Sequence, residues 1–449
     1  MLSDLGTTTL VALAVGPILT FIVLRKVVKA EPDRFIARVI VIGFAAKMAG
    51  TAAYYLMVAE VWGGGDVARY VRAGRSLVPI IRSGTLPDEA RRTGTRFMEF
   101  LTGLVFSVVG PNEIAGYVVF SMLSFVGLFL FLHAFRLGMP YGDHRRYAVL
   151  VLLTPTVLFW PSTIGKEAWM VFTMGAAAYG AARVLRARPF GYLLLGTALA
   201  GVAAIRPHMA VLMALAFTIG YFVRLRDRTT DQTALFWAAG LVVVAVGASI
   251  TAANFSDEMG DGGATDAPLT ERVRSDTESI FERTDRNTRR GGGEFDSRPV
   301  RSPVDFVHAA ITVPFRPLLT EAHNRTAVLS ALEGMVILVI LLTALPRFVG
   351  PKPVRLSRQP YLVFSAAFTT GFIIAFSNVG NFGILVRQRA MLLPLLLVLA
   401  CVPRIGATPA GAAPSRPAGD RPVLTILPDT PPAKATQVSA DASRSARVE

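Results

Sequence analysis

The chain has 449 residues, of which 52% are hydrophobic and only 17% charged, a balance that excludes a water-soluble globule and marks a polytopic membrane protein. Its net charge of +15 does not point to nucleic acid, because the basic residues are scattered through loops between apolar runs and only six of the 46 are lysines. The single cysteine, Cys401, lies inside an apolar run, which excludes a disulfide framework and a cysteine metal cluster.

A bilayer core about 30 Å thick takes roughly 20 apolar residues per crossing. That ruler predicts about eleven spans, near 7–25, 36–60, 114–135, 145–161, 167–184, 190–205, 208–224, 233–254, 326–345, 360–377 and 388–403. The amino terminus has neither a basic n-region nor a small-residue cleavage site, so the first run is expected to stay as a helix. Alternate short loops read "RKVVKAEPDR", "RLGMPYGDHRRY", "RVLRARPF", "VRLRDRTTD" and "PRFVGPKPVRLSR". Basic short loops favour the cytoplasm. The amino terminus is then outside and the carboxyl tail inside. Loops 61–113 and 255–325 and the short "NVGNFGILVRQR" face outward. The expected organisation is a membrane domain over 1–403 and a Pro/Ala/Thr-rich, disordered cytoplasmic tail over 404–449.

In chain order, the first chemistry-bearing stretch is "VWGGGDVARYVRAGRSLVPIIRSG", which sets Asp66 just after the second span, behind three glycines. Val67, Val71, Val78 and Ile81 alternate with Arg69, Arg72, Arg75 and Arg82 at near-helical spacing, predicting an amphipathic helix on the membrane surface. "RFMEFLTGLVFSVVG", 96–110, is too short to cross and is expected to be an interfacial or re-entrant helix.

"WPSTIGKEAW", 160–169, then reads as a tight outer turn. Pro161 and Ser162 stop one helix, Ser162 or Thr163 caps the next, and Glu167 suits its positive end. Lys166, fixed in such a turn, also reads as a cation for a lipid-linked phosphate. Arg206 and His208 in "AIRPHMA", Arg316 in "PFRPLL", and Arg387 and Arg389 in "RQR" share the outer placement. Arginine forks match phosphate oxygens, although each of these arginines also reads as a snorkelling interface residue. Lys47 and Glu333 fall inside spans, where unpaired charge is expensive. They are expected to pair with each other, or else to mark an ion path. The Asp/Arg/Gly-rich loop over 255–305 reads as a cover over an outer cavity. No histidine spacing suits a metal, and no P-loop, dinucleotide fingerprint or Ser/His/Asp pattern occurs.

Three segments carry a resemblance to the GT-C class of membrane glycosyltransferases, which use sugars on polyprenyl-phosphate carriers at the outer membrane face. "GDVARYVRAGRSLVPIIRSG" resembles their first outer loop, with an acidic residue close after a helix end, then a tyrosine and an amphipathic helix. "FMEFLTGLVFSVVGPNEIAGYVVFSMLSFVGLFLFL" resembles their juxtamembrane helix, turn and next span. "VLLTPTVLFWPSTIGKEAWMVF" occupies the place of their second outer loop, with Lys-Glu where a lone aspartate is usual. Residues 36–185 carry the resemblance; "VPFRPLL" and "NFGILVRQRAMLLPLL" are more similar to envelope-polysaccharide and O-antigen-polymerase-like proteins.

The resemblance implies an all-α, GT-C-like plasma-membrane enzyme, with amphipathic juxtamembrane helices in its first outer loop. It would move a sugar from a polyprenyl-phosphate carrier to an envelope glycan or lipid-linked acceptor, with membrane lipids and no nucleic acid as its surroundings. In an inverting transfer Asp66 would be the base, with Glu167 as the alternate or second carboxylate. Lys166, Arg206, His208, Arg316, Arg387, Arg389 and Tyr70 would bind substrate phosphate; a divalent cation stays open as cofactor. Two rival readings also stand, a polysaccharide polymerase acting on pyrophosphate-linked repeats and a transporter or flippase of lipid-linked glycans. The latter predicts inverted repeats, and no internal repeat is visible.

Overall fold

The structure is a computed structural model that describes residues 24–225, 295, 298–350 and 353–403. The expected spans at 7–25 and 233–254, most of loop 255–305 and the tail 404–449 lie outside the described residues. Those described are 79% helical, with no strand.

Helix α1, Arg34–Met57, starts at Asp33, whose side chain accepts from the Phe35 N–H. It continues through a π turn, Val58–Trp62. Gly63, Gly64 and Gly65 follow with φ of 64°, 94° and 48°, a left-handed run that only glycine adopts without a Cβ penalty. That run turns the chain into α2, Gly65–Arg82, which buries Val67, Tyr70, Val71, Leu77 and Val78 and leaves its arginines on the other face. Beside it lies α3, Thr95–Val109, joined by Arg69 to the buried Glu99 at 2.8 Å. Helices thus form over both segments, 66–82 and 96–110, that the sequence sets in the first loop.

After α4, Glu113–Gly138, the expected span at 145–161 is two pieces, α5 (His144–Leu153) and α6 (Pro155–Phe159). Pro155 is the cause. It has no N–H for the preceding turn, and it pushes Thr154 to extended backbone with ψ 125°. The remaining helices are α7 (Lys166–Leu185), α8 (Gly191–Ala203), α9 (Pro207–Leu225), α10 (Pro303–Phe315), α11 (Arg325–Leu342), α12 (Pro360–Phe376) and α13 (Phe382–Ala400).

At the centre α4 crosses α7 backbone to backbone. A Cβ on Gly127 would lie 2.4 Å from the Val171 carbonyl, and one on Gly175 would lie 2.2 Å from that of Gly127, an approach that small residues allow. Helix α8 covers α7, α9 packs on α12, and α13 is almost wholly enclosed. Among the described residues five helices are long and apolar enough to cross a membrane: Arg34–Trp62, Glu113–Gly138, Pro207–Leu225, Arg325–Val349 and Phe382–Ala400. Helices α8, α10 and α12 are apolar but shorter.

The short basic loops meet at one end of this bundle, where their arginines close helix termini. Arg186 donates to the Leu137 and Gly138 carbonyls at 3.1 and 2.9 Å, ending α4. Arg224 donates to the Val184 carbonyl near the end of α7. Arg347 reaches Ala400 and Val402, each at 3.2 Å, where α13 ends. Carbonyls in the last turn of a helix lack the N–H four residues on, and a cation suits the negative end of the helix. Glu31 and Arg136 form a two-pronged pair at 2.7 Å per contact beside them.

The expected Lys47–Glu333 pair does not form. Lys47 donates to the Val157 and Leu158 carbonyls at 3.1 and 3.3 Å. Glu333 accepts from the Thr156 N–H at 2.7 Å and pairs with Arg389 at 3.1 Å. The broken helix supplies both with partners closer than each other.

Candidate functional site

At the end of α1 away from the arginine-capped rim, the start of α2, the start of α7, the α8–α9 connection and the first half of α13 converge. The turn before α7 holds the first polar pair. Its N-cap is Gly165, with no side-chain cap, so Ser162 and Thr163 do not cap α7 as their position suggests. Instead the Ser162 hydroxyl donates back to the Leu158 carbonyl and lies 3.4 Å from the Ser121 hydroxyl, inside the bundle. The helix starts two residues later than a Thr163 cap would place it, which leaves Lys166 and Glu167 as the first helical residues.

Lys166 Nζ donates to Thr95 Oγ1 at 2.8 Å. Glu167 Oε1 pairs with Arg206 Nη2 at 3.3 Å, and the two side chains are only 16% and 13% exposed. Arg206 also donates to Gln388 Oε1 and lies 3.3 Å from Met391 Sδ. The first loop is tied to the same place, because the Gly94 N–H donates to the Ala204 carbonyl at 2.8 Å. Three chain segments distant in sequence are thus fixed around one pair of charges.

Arg387 lies 5.2 Å over the Trp160 ring, and its Nε is buried with no hydrogen-bond partner among the described residues. Tyr70 is buried beside Thr95. Burial, and then the negative charges of Asp66 and Glu167, hold its phenol well above the usual tyrosine range, so it stays a hydrogen-bond donor. Asp66 is exposed, and among the described residues it makes no hydrogen bond or ion pair. Its charge nevertheless acts on Tyr70 and Lys166, and Lys166 also feels Arg206 and Glu167. Asp66, Tyr70, Lys166, Glu167, Arg206 and Arg387 therefore share one electrostatic neighbourhood.

Two other sequence candidates lie elsewhere. Arg389 is 1% exposed and committed to Glu333. Arg316 pairs with Glu321 at 3.0 Å and sits 4.3 Å from the Phe295 ring centre, at the end of α10. His208, the second residue of α9, is exposed next to the cluster, where the charge of Arg206 acts on it, and its ring lies 6.4 Å from that of Phe376. Thr95 and Gln388, which anchor Lys166 and Arg206, carry no signal of their own in the sequence. Gln388 had one indirect signal, its place between the arginines of "RQR".

Among the described residues no three His, Cys, Asp or Glu side chains come together to hold a metal ion. The donor set among the described residues, two carboxylates of which one is paired to Arg206, does not fit one. What the cluster offers is one exposed carboxylate, a second paired to a guanidinium, a protonated phenol and three cations. Cations and donors preorganised in a partly desolvated site stabilise developing negative charge. Compared with known proteins, the chain matches no family model, no curated relative and no solved structure.

Proposed function

We propose that the protein is a membrane glycosyltransferase that moves a sugar from a polyprenyl-phosphate carrier to an envelope glycan or lipid-linked acceptor. One observation carries the reading: the exposed carboxylate of Asp66, without a partner among the described residues, shares its neighbourhood with Lys166, Arg206 and Arg387. In the proposed step Asp66 takes the proton of an acceptor hydroxyl. The hydroxyl oxygen bonds to the sugar's anomeric carbon from the face opposite the phosphate, and the carbon–oxygen bond to phosphate breaks. The electron pair leaves with the phosphate, which the three cations hold. Tyr70, kept protonated beside Thr95, adds a hydrogen-bond donor for the same phosphate.

The reaction would take place on the extracytoplasmic face of the plasma membrane, with the amino terminus outside and about eleven crossings. The basic loops gathered at the far end of the bundle support that orientation. A transport reading draws its main support from charge within the spans. Lys47 and Glu333 are instead both engaged in holding helix ends, so that support is removed.

The deciding experiment is a transfer assay with purified protein in nanodiscs and a radiolabelled polyprenyl-phosphate sugar. Asp66→Asn should abolish transfer while donor retention persists, and Lys166→Ala should weaken retention. Normal turnover by Asp66→Asn would overturn the reading.

A further inference from the structure

We infer that Trp62 and Trp160 form an aromatic platform for the sugar ring of the donor. The inference rests on the glycosyl-transfer reading and assigns that site a subsite of its own. Trp62 ends the π turn of α1, four residues before Asp66, and is 38% exposed. Its ring lies parallel to that of Trp160, at 4° with centroids 5.9 Å apart. Tyr54 meets both rings edge-on, at 5.5 Å from Trp62 and 6.1 Å from Trp160. The Tyr54 edges and the Trp160 stack leave Trp62 little freedom to turn.

A pyranose presents one face of C–H bonds, which packs on an electron-rich ring, and a rim of hydroxyls, which needs carboxylate or guanidinium partners. Both kinds of partner stand beside this platform. Arg387 lies on Trp160 at 5.2 Å with its Nε buried and unbonded among the described residues. Asp66 and Glu167 both act electrostatically on Tyr54, as does Arg387. Tryptophan at a helix end in a membrane protein ordinarily serves as an interfacial anchor. An anchor has no need of a parallel second indole, nor of an arginine with an open valence on that indole. The glycine turn 63–65 then gives the platform its purpose: it delivers the base within one short turn of the surface on which the sugar lies.

The test compares retention of two probes by intact protein in detergent, read by native mass spectrometry. One probe is a long-chain polyprenyl phosphate; the other is the same lipid carrying mannose, glucose or galactose. Wild type should prefer at least one sugar-bearing lipid. Trp62→Leu and Trp62→Phe should erase and reduce that preference respectively, with a roughly five- to tenfold loss for the leucine variant, while retention of the bare lipid is unchanged. Lys166→Ala should lower both probes alike. A Trp62→Leu protein that keeps the wild-type preference, or loses both lipids equally, overturns the platform and leaves the donor reading standing. Wild type with no preference among the probes also overturns it. Wild type that retains neither lipid overturns the platform and the donor reading together.

Discussion

Lys47 and Glu333 hold opposite ends of the same five-residue helix, α6. Glu333 takes the Thr156 N–H at its start, and Lys47 donates to the Val157 and Leu158 carbonyls toward its end. A helix this short cannot satisfy its own terminal groups, and the two charges match the sign of each end. Each of these buried charges meets a helix end that the proline break creates.

Removing either charge should therefore cost stability before it costs activity. Lys47→Met strands two buried carbonyls and is expected to lower stability by about 1–3 kcal/mol. Glu333→Gln also leaves Arg389 buried without a counter-charge, a loss of about 3–5 kcal/mol. The double variant Glu333→Gln/Arg389→Met should recover part of that. Thermal unfolding in detergent reads all three, and an unmoved midpoint for Lys47→Met would reject the helix-end role.

The α4–α7 crossing leaves no room for a side chain. Gly175→Ala puts a Cβ 2.2 Å from the Gly127 carbonyl, so the helices must separate, at about 1–3 kcal/mol or more. The thermal midpoint should fall, and Gly175→Leu should prevent recovery of folded protein. Gly196, where a Cβ meets nothing within 4 Å, is the control, and Gly196→Ala should be silent.

Orientation is open to direct labelling. In a Cys401→Ser background, cysteines at Asp88 and Arg188 are both exposed and sit at opposite ends of the bundle. A membrane-impermeant thiol reagent on intact cells should label the first and spare the second. The reverse pattern would invert the proposed face of the reaction.

Acid should weaken the fold through Glu31. Burial alone would raise its carboxyl, but the hydrogen bonds from Arg136 and the Asp33 N–H outweigh that and hold it below its ordinary value of 4.5. A carboxyl depressed in the folded state contributes stability above its unfolded value, and that contribution is lost as pH falls through the folded one. Stability should thus be level above pH 4.5 and decline below it. Glu31→Gln should start lower and lose less on acidification; equal slopes for both proteins would exclude this pair as a source.

Hydrophobic runs and basic loops were enough to locate most helices, because a lipid-length apolar segment has little choice of structure. The runs at 36–60, 114–135 and 208–224 reappear within a few residues as α1 with its π turn, α4 and α9. What failed was local. The run at 145–161 reads as continuous by hydropathy, yet one proline divides it, and hydropathy does not register a missing N–H. Helix α10 went unread because thirteen residues ending in "VPF" look like loop at the ruler of a full span. In the site, Lys166, Glu167 and Asp66 stood out by being charged beside apolar runs. Thr95, Gln388 and Tyr54 did not, since neutral residues earn a role only from the partners that the fold sets against them.

The arginines that end α4, α7 and α13 also carry a constraint for anyone who would re-engineer the chain. Topology is commonly inverted by moving positive charge from one set of loops to the other. Here Arg186, Arg224 and Arg347 are committed to carbonyls at helix termini, so deleting them would fray the bundle before it could turn over. Loop charge and cohesion reside in the same side chains, and neither can be edited alone.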